Sequence, residues 1–509
     1  MNPNKRILIN TIVLYVNLLV TIVVNLYSTR VILNALGVED YGIVNLISGI
    51  VAMLSFIQNS MTVSTQRYLS INIGRGDVRL QSVIFNSSLV LHFFLALILF
   101  IIFESVAPVI FNSFLQIPIG RLDSAQILYQ LTILSTLSII IGVPYGATIT
   151  AHENMTIYAL ISICESVMVL VGSLYLLSYG GDRLILYGVI IAFVRVVATV
   201  IMCLYCRHSY EETKIRMSDV HTSSIRQIAG FSFWNMLGAF AVACRYQGVA
   251  IVMNAFRGVV INAAFGIANQ VSGQLSNFAA TMNKAMAPQI MQREGEGSTS
   301  SMVSLAIKQC RYSSFLLAYA IIPLFIGMPY VLQLWLKEVP IYCTTFCRIM
   351  LGVAAVQQLT TGLQTAIQAK GNIKYYQVAI SFFLMLNIPC AYFLLHFDVN
   401  PSFVIYAIMF VEMVCIIVRL VFSNKLVGLN YKDFLVGVFS PAVFVYIIGG
   451  SVVGAISQCV FGDIASFRSL LLVIVLSMIN TTITVVICLS KYEKSQINLM
   501  LNKVLKLHA

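Results

Sequence analysis

Long apolar runs, each closed by a short polar turn, repeat along the whole chain. A membrane-spanning helix needs about 20 apolar residues, and the runs reach or exceed that length. Fourteen helices are predicted, over 7–34, 42–65, 82–112, 125–150, 154–179, 184–207, 227–254, 260–285, 304–330, 344–368, 374–396, 400–424, 434–457 and 467–489. The shortest turns are those at 150/154 and 254/260. Lys5 and Arg6 precede the first run, which extends from Ile7 to Thr29. It is longer than the apolar part of a signal peptide and no small-residue cleavage site follows, so it reads as an uncleaved first span.

Polar positions inside the runs are not scattered. Residues spaced by three or four share a helix face. Span one carries Asn10, Asn17, Thr21, Asn25 and Ser28 on one stripe; span two carries Asn45, Ser48, Ser55, Asn59, Thr62 and Gln66; span eight carries Asn262, Asn269, Gly273, Ser276, Asn283 and Lys284. In span seven Trp234, Gly238, Ala241, Arg245 and Gly248 share a face. Ser, Thr and Gly also serve as ordinary helix–helix glue, but matching stripes in four spans fit a hydrated cavity. Asn17, Asn25, Asn59, Asn262 and Asn269 are its expected polar lining. Charges at mid-span are fewer: Glu165 in span five, Arg195 in span six, Arg245 in span seven and Glu412 in span twelve, with Arg419 two turns further on. Each reads either as half of a buried ion pair or as part of an ion or anion pathway. Arg30, in an ideal helix, points nearly opposite the span-one stripe.

Composition narrows the function classes. Hydrophobic residues make up 59% and charged residues 10%, against about a quarter charged in soluble domains. A cytosolic enzyme, a disordered chain and a nucleic-acid-binding domain are therefore excluded. The net charge of +12 is better read as basic loops that set topology. With the N-terminus inside, 22 Lys and Arg fall in inside segments, 7 in outside segments, and Arg195 and Arg245 at mid-span. That bias predicts both termini in the cytoplasm and an even number of spans. Most of the eleven cysteines lie in apolar runs, where Cys acts as a small hydrophobe. Cys203 and Cys206 have metal-site spacing without a second pair, so no metal is expected.

The expected fold is an all-α polytopic membrane protein. The charged segment 207–226 reads as a cytoplasmic linker between six-helix lobes at 1–206 and 227–424, with two further helices and a cytoplasmic tail over 425–509. Gly74-Arg-Gly76 after span two and Gly295-Glu-Gly297 after span eight are turns of one pattern and suggest an internal repeat. Neither follows a strand, so neither is a nucleotide-binding loop. No phosphate-binding loop, HExxH or nucleophile triad occurs, so the chain is expected to be a transporter rather than an enzyme, without a bound cofactor.

Four segments resemble the Wzx-type polysaccharide and O-antigen flippases of the MOP (MATE-like) exporter superfamily: Thr29–Val44 (TRVILNALGVEDYGIV), Arg67–Asp77 (RYLSINIGRGD), Ala151–Ala159 (AHENMTIYA) and Asn262–Gln270 (NAAFGIANQ). The resemblance implies two pseudo-symmetric six-helix lobes around a central cavity, two extra C-terminal helices, and residence in the bacterial inner membrane. It further implies alternating access that carries an undecaprenyl-pyrophosphate-linked oligosaccharide across the bilayer for lipopolysaccharide or other surface polysaccharide. Membrane lipids, a polysaccharide polymerase and glycosyltransferases are the implied partners, and no nucleic acid. A pyrophosphate asks for guanidinium forks; Arg245, Arg195, Arg30, Arg67 and Lys284 are the candidates for that headgroup. Relatives that flip a peptidoglycan precursor use cavity arginines, some in span one, where Arg30 is the match. Glu165 and Glu412 are candidates for coupling to H+ or Na+, while the inside-negative potential alone favours outward movement of an anion by about 2.3 kcal/mol per charge per 100 mV. Two rivals stand beside this reading: a cation-coupled multidrug exporter of the same superfamily, and a non-transporting scaffold of a glycan assembly complex.

Overall fold

A computed structural model of the protein describes residues 3–52, 55–111, 117–336, 338–461, 466–489 and 493–495. Among the described residues every regular element is helical. The first half contains α1 (Pro3–Ala52), α2 (Ser55–Arg75), α3 (Val78–Val109), α4 (Leu122–Ala151), α5 (Met155–Ser178) and α6 (Arg183–Ser209). After the segment 210–221 come α7 (Thr222–Gly295), α8 (Thr299–Leu336), α9 (Cys343–Gln358), α10 (Thr361–Lys370), α11 (Lys374–Met385), α12 (Asn387–His396) and α13 (Ser402–Val427). The chain closes with α14 (Tyr431–Phe434), α15 (Ser440–Val443), α16 (Gly450–Phe461) and α17 (Phe467–Cys488). Wider, π-type turns at Leu435–Phe439 and Phe444–Gly449 join α14, α15 and α16 into one continuous rod.

Eleven helical stretches among the described residues are long and apolar enough to cross a membrane. The predicted fourteen spans are compatible with this. α7 counts once although it contains two of the predicted spans. The predicted second span runs from the end of α1 into the polar α2. The tenth is divided into α9 and α10 at residues 359–360. Large apolar side chains such as Leu19, Val23, Leu26, Val259 and Phe410 point outward, as lipid-facing positions require.

The breaks in the two long helices have one cause. Gly37 in α1 has φ 79° and ψ 175°; Gly258 in α7 has φ 78° and ψ −178°. A side chain disfavours that backbone region and glycine does not. Gly76 and Gly297 also share positive φ, 71° and 75°, in the turns after α2 and α7. Gly37 and Gly258 stand as far apart in sequence as Gly76 and Gly297 do. The repeat suggested by the Gly turns thus extends to the backbone geometry of both long helices.

The chain divides into two compact units. One holds Met1–Phe240, Lys284–Thr299 and Gln368–Gln377; the other holds Ala241–Asn283, Ser300–Ile367 and Val378–Ala509. The first has a core of α1, α3, α4 and α6 residues, including Ile47, Leu99, Tyr129, Ile133 and Leu184. The second is built on Phe265, Leu317, Phe346, Met350 and Ile405 from α7, α8, α9 and α13. The last helices attach through Val445, Val453 and Val473, which pack on Phe315, Ala318 and Ile322 of α8.

Candidate functional site

Among the described residues the most completely buried charges are Arg245 of α7 and Glu412 of α13, each 1% exposed. Both helices are apolar, so either charge alone would be costly in a low-dielectric interior. Arg245 Nη1 donates to Glu412 Oε2 at 2.7 Å, and its Nη2 donates to the Tyr246 hydroxyl at 2.7 Å. The guanidinium also lies 4.4 Å from the centre of the Tyr246 ring, close enough for a cation–π contact. Small neighbours admit this packing: a side chain on Gly248 would run into Ile388.

A second arginine shares the same carboxylate. Arg419 Nη1 donates to Glu412 Oε1 at 3.3 Å and to the Thr360 hydroxyl at 3.0 Å. Glu412 and Arg419 are separated by two helical turns, which places them on one face of α13. Gln357 Nε2 adds a 3.3 Å hydrogen bond to Glu412 Oε2. Two guanidinium groups thus share one carboxylate. The cluster lines a cavity of about 500 Å³ whose wall also carries Asn269, Ser276, Gln358 and Gln364. The buried Arg245 Nε and Asn269 Oδ1 have no hydrogen-bond partner. Guanidinium groups amid amide and hydroxyl groups suit an anion that also carries hydroxyls.

The other candidates separate into distinct places. Arg195 of α6 pairs with Glu165 of α5, within the first unit. Lys284 lies 3.7 Å from the centre of the Tyr158 ring, also within the first unit. Arg67 is a structural clamp: its Nε and Nη2 donate to the carbonyls of Gln368 and Ala369 at 2.6 and 3.0 Å. Its guanidinium stacks near Tyr68 and Phe231. It is seated against Gly371, which has φ 91° and no side chain to obstruct it. Arg30, Asn25 and Asn59 are exposed and Asn262 is half-buried, whereas Asn17 is buried with its Oδ1 unpartnered. Of the twelve candidate residues, Arg245, Glu412 and Asn269 line one cavity.

Arg245, one of the mid-span charges that read either as half of a buried ion pair or as part of a pathway, is paired with Glu412. Arg419, two turns beyond Glu412 in span twelve, belongs to the cluster as well, and Tyr246 and Gln357 join it. The two-turn spacing of Glu412 and Arg419 is the available signal for Arg419, and Tyr246 adjoins Arg245 in sequence. Nothing in the linear pattern marks Gln357, because α9 reaches the cluster only through tertiary packing.

No family model and no curated protein sequence matches the chain. Solved structures do. A MATE transporter in the bent conformation is similar with a TM-score of 0.74 at 15% identity, covering 85% of this chain and 97% of that one. An outward-facing multidrug resistance MATE family transporter of the MOP superfamily gives 0.73 at 14% identity, covering 84% and 96%. A MOP superfamily transporter from Pyrococcus furiosus, described as having a binding pocket of reverse polarity that suggests a different function, gives the same TM-score, identity and coverage. The chain is therefore a multi-pass membrane protein with the fold of the MATE transporters of the MOP superfamily.

Proposed function

We propose that the protein is a flippase that moves an undecaprenyl-pyrophosphate-linked oligosaccharide across the bacterial inner membrane by alternating access, for cell-surface polysaccharide such as O-antigen. The observation that carries this reading is the arginine-bearing, amide-rich cavity around Arg245, Arg419 and Glu412. Its guanidinium groups suit the pyrophosphate, and Asn269, Gln357, Gln358 and Gln364 suit sugar hydroxyls. The lipid tail stays in the bilayer. Both termini lie in the cytoplasm.

A cation-coupled multidrug exporter is the second reading, favoured by the shared fold with a multidrug resistance transporter. An organic cation asks for unpaired acidic groups, however, and Glu412 is held by two arginines. The two readings separate in cells. Loss of the protein should deplete surface polysaccharide and leave its lipid-linked precursor in the inner leaflet. Unaltered polysaccharide together with raised sensitivity to cationic drugs would favour the exporter.

A further inference from the structure

A second cavity, of about 750 Å³, opens where α2 ends and α3 and α7 begin. It lies wholly within the first unit and shares no residue with the Arg245 cavity. Val78 and Thr222 each open a stretch long and apolar enough to cross a membrane. A cavity at the first turns of two such stretches sits at the level of lipid headgroups.

Its chemistry is that of an anion site. Arg67, Arg75 and Arg79 line it, against one lining carboxylate, Asp77. Asp77 is committed to the start of α3, where it accepts from the Leu80 amide at 2.9 Å. Arg67 is held by the carbonyls of Gln368 and Ala369. Arg75 and Arg79 are exposed, and among the described residues no carboxylate stands within ion-pair distance of either. Asp219 acts on Arg79 only through space; it also faces Arg216 and accepts from Ser82 Oγ at 2.7 Å. The first turn of α7 adds Ser223 and Ser224, and no side chain caps its amides. A helix N-terminus favours an anion.

Asn72 says what the anion carries. It lines the cavity and is 5% exposed. Its Nδ2 donates to the Tyr68 carbonyl at 2.9 Å, while its Oδ1 has no partner. A buried acceptor without a donor is costly, so the fitting ligand brings a hydroxyl beside its phosphate. Leu80, Val83 and Ile84 make part of the wall apolar, which suits the first carbons of an acyl chain. We propose that this cavity binds the hydroxyl-bearing phosphodiester headgroup of an acidic glycerophospholipid, with the phosphate on Arg75 and Arg79 and a hydroxyl on Asn72. The lipid is a resident of the site, whatever substrate the Arg245 cavity takes.

Dioctanoyl lipids titrated into the purified full chain in a non-ionic detergent, with bound lipid counted by native mass spectrometry, test this. Phosphatidylglycerol carries the charge and the hydroxyls, phosphatidylmethanol the charge alone, and phosphatidylcholine no net charge. Wild-type protein should bind phosphatidylglycerol about tenfold or more tighter than phosphatidylcholine, and about threefold to tenfold tighter than phosphatidylmethanol. Arg75→Gln combined with Arg79→Gln should lose the first preference. Lys425→Gln combined with Lys432→Gln, which removes two exposed cations of the other unit, should keep it. Asn72→Ala should lose only the second preference. Glycerophosphoglycerol, the same headgroup without acyl chains, should bind about tenfold or more weaker than the lipid. Equal binding of phosphatidylglycerol and phosphatidylcholine by wild type would overturn the anion site, and needs no variant to fold. Equal losses in the two double variants would also overturn it, leaving general surface charge as the cause. Equal binding of phosphatidylmethanol by wild type would refute the hydroxyl contact at Asn72. Glycerophosphoglycerol binding as tightly as the lipid would refute the lipid and make the ligand a soluble phosphate ester.

Discussion

Gly74 and Gly295, counterparts in the internal repeat, make the same contact twice. A side chain on Gly74 would collide with the carbonyl of Gln292, and one on Gly295 with the carbonyl of Ile71. Ile71 and Gln292 have the same separation in sequence as the two glycines, so they are counterparts too. Residue i thus meets j while j's counterpart meets i's, the signature of a two-fold relation, here between the ends of α2 and α7. Backbone approach this close is open to Gly Cα–H···O contacts and closed to a methyl group. Gly74→Ala or Gly295→Ala should each destabilise the protein by about 1–3 kcal/mol in thermal unfolding. The double variant should cost little more than either single one, because one parted crossing admits both methyl groups. Full additivity would mean that the two contacts are independent.

The partner of Arg245 is equally testable. Removing one member of a buried pair costs about 3–5 kcal/mol, so Arg245→Ala should lower the thermal unfolding midpoint sharply. Combining it with Glu412→Ala should cost less than the sum of the two single losses, because both changes remove the same ion pair. Combining it with Glu165→Ala should cost the full sum, because Glu165 pairs with Arg195. A shortfall with the Glu165 change would contradict the arrangement around α13.

The turn after α4 offers a pH readout outside the membrane spans. His152 Nε2 lies 2.5 Å from Glu212 Oε1, and Tyr210 stacks on the imidazole at 4.2 Å. Burial pushes the Glu212 carboxyl up, but the hydrogen bond from His152 and a backbone amide outweigh it, and the net shift is downward from 4.5. A depressed carboxyl contributes stability that is complete above its unfolded value and is lost as pH falls through its folded value. Cleavage within 207–226 by a protease active in acid should therefore rise as pH falls below about 4.5. Glu212→Gln should remove that dependence, and an unchanged profile in the variant would assign it elsewhere.

Much of this is legible from the residues because the membrane imposes simple rules. Apolar runs of span length, closed by polar turns, locate the helices, and Gly37 and Gly258 break them close to the predicted cuts. The Gly74 and Gly295 turns expose the repeat because a glycine needed for backbone reasons has no substitute. Arg245 and Glu412 stand out because charge in lipid is rare. Their pairing does not, since α7 and α13 are 167 residues apart at that contact and a linear pattern carries no such distance. Arg67 misleads for a related reason: a basic residue near a loop looks like a ligand, and only the fold supplies the carbonyls of Gln368 and Ala369 that occupy it.

Topology is open to direct labelling. Ser218 and Ser495 are both exposed, and the positive-charge bias puts both in the cytoplasm. Cysteines placed there in a cysteine-free variant should resist an impermeant maleimide in intact cells and react after permeabilisation. Ready labelling of either in intact cells would reverse the orientation.

Flipping itself can be followed in liposomes containing the purified protein and a fluorescent polyprenyl-pyrophosphate oligosaccharide. An impermeant reductant destroys only the fluorophores in the outer leaflet. Empty liposomes should lose about half the signal. Liposomes with wild-type protein should lose nearly all of it, and folded Arg245→Gln protein should behave like empty liposomes. A loss that stays near half with wild-type protein, or Arg245→Gln protein that flips as fast as wild type, would contradict a lipid-linked oligosaccharide flippase acting through this arginine.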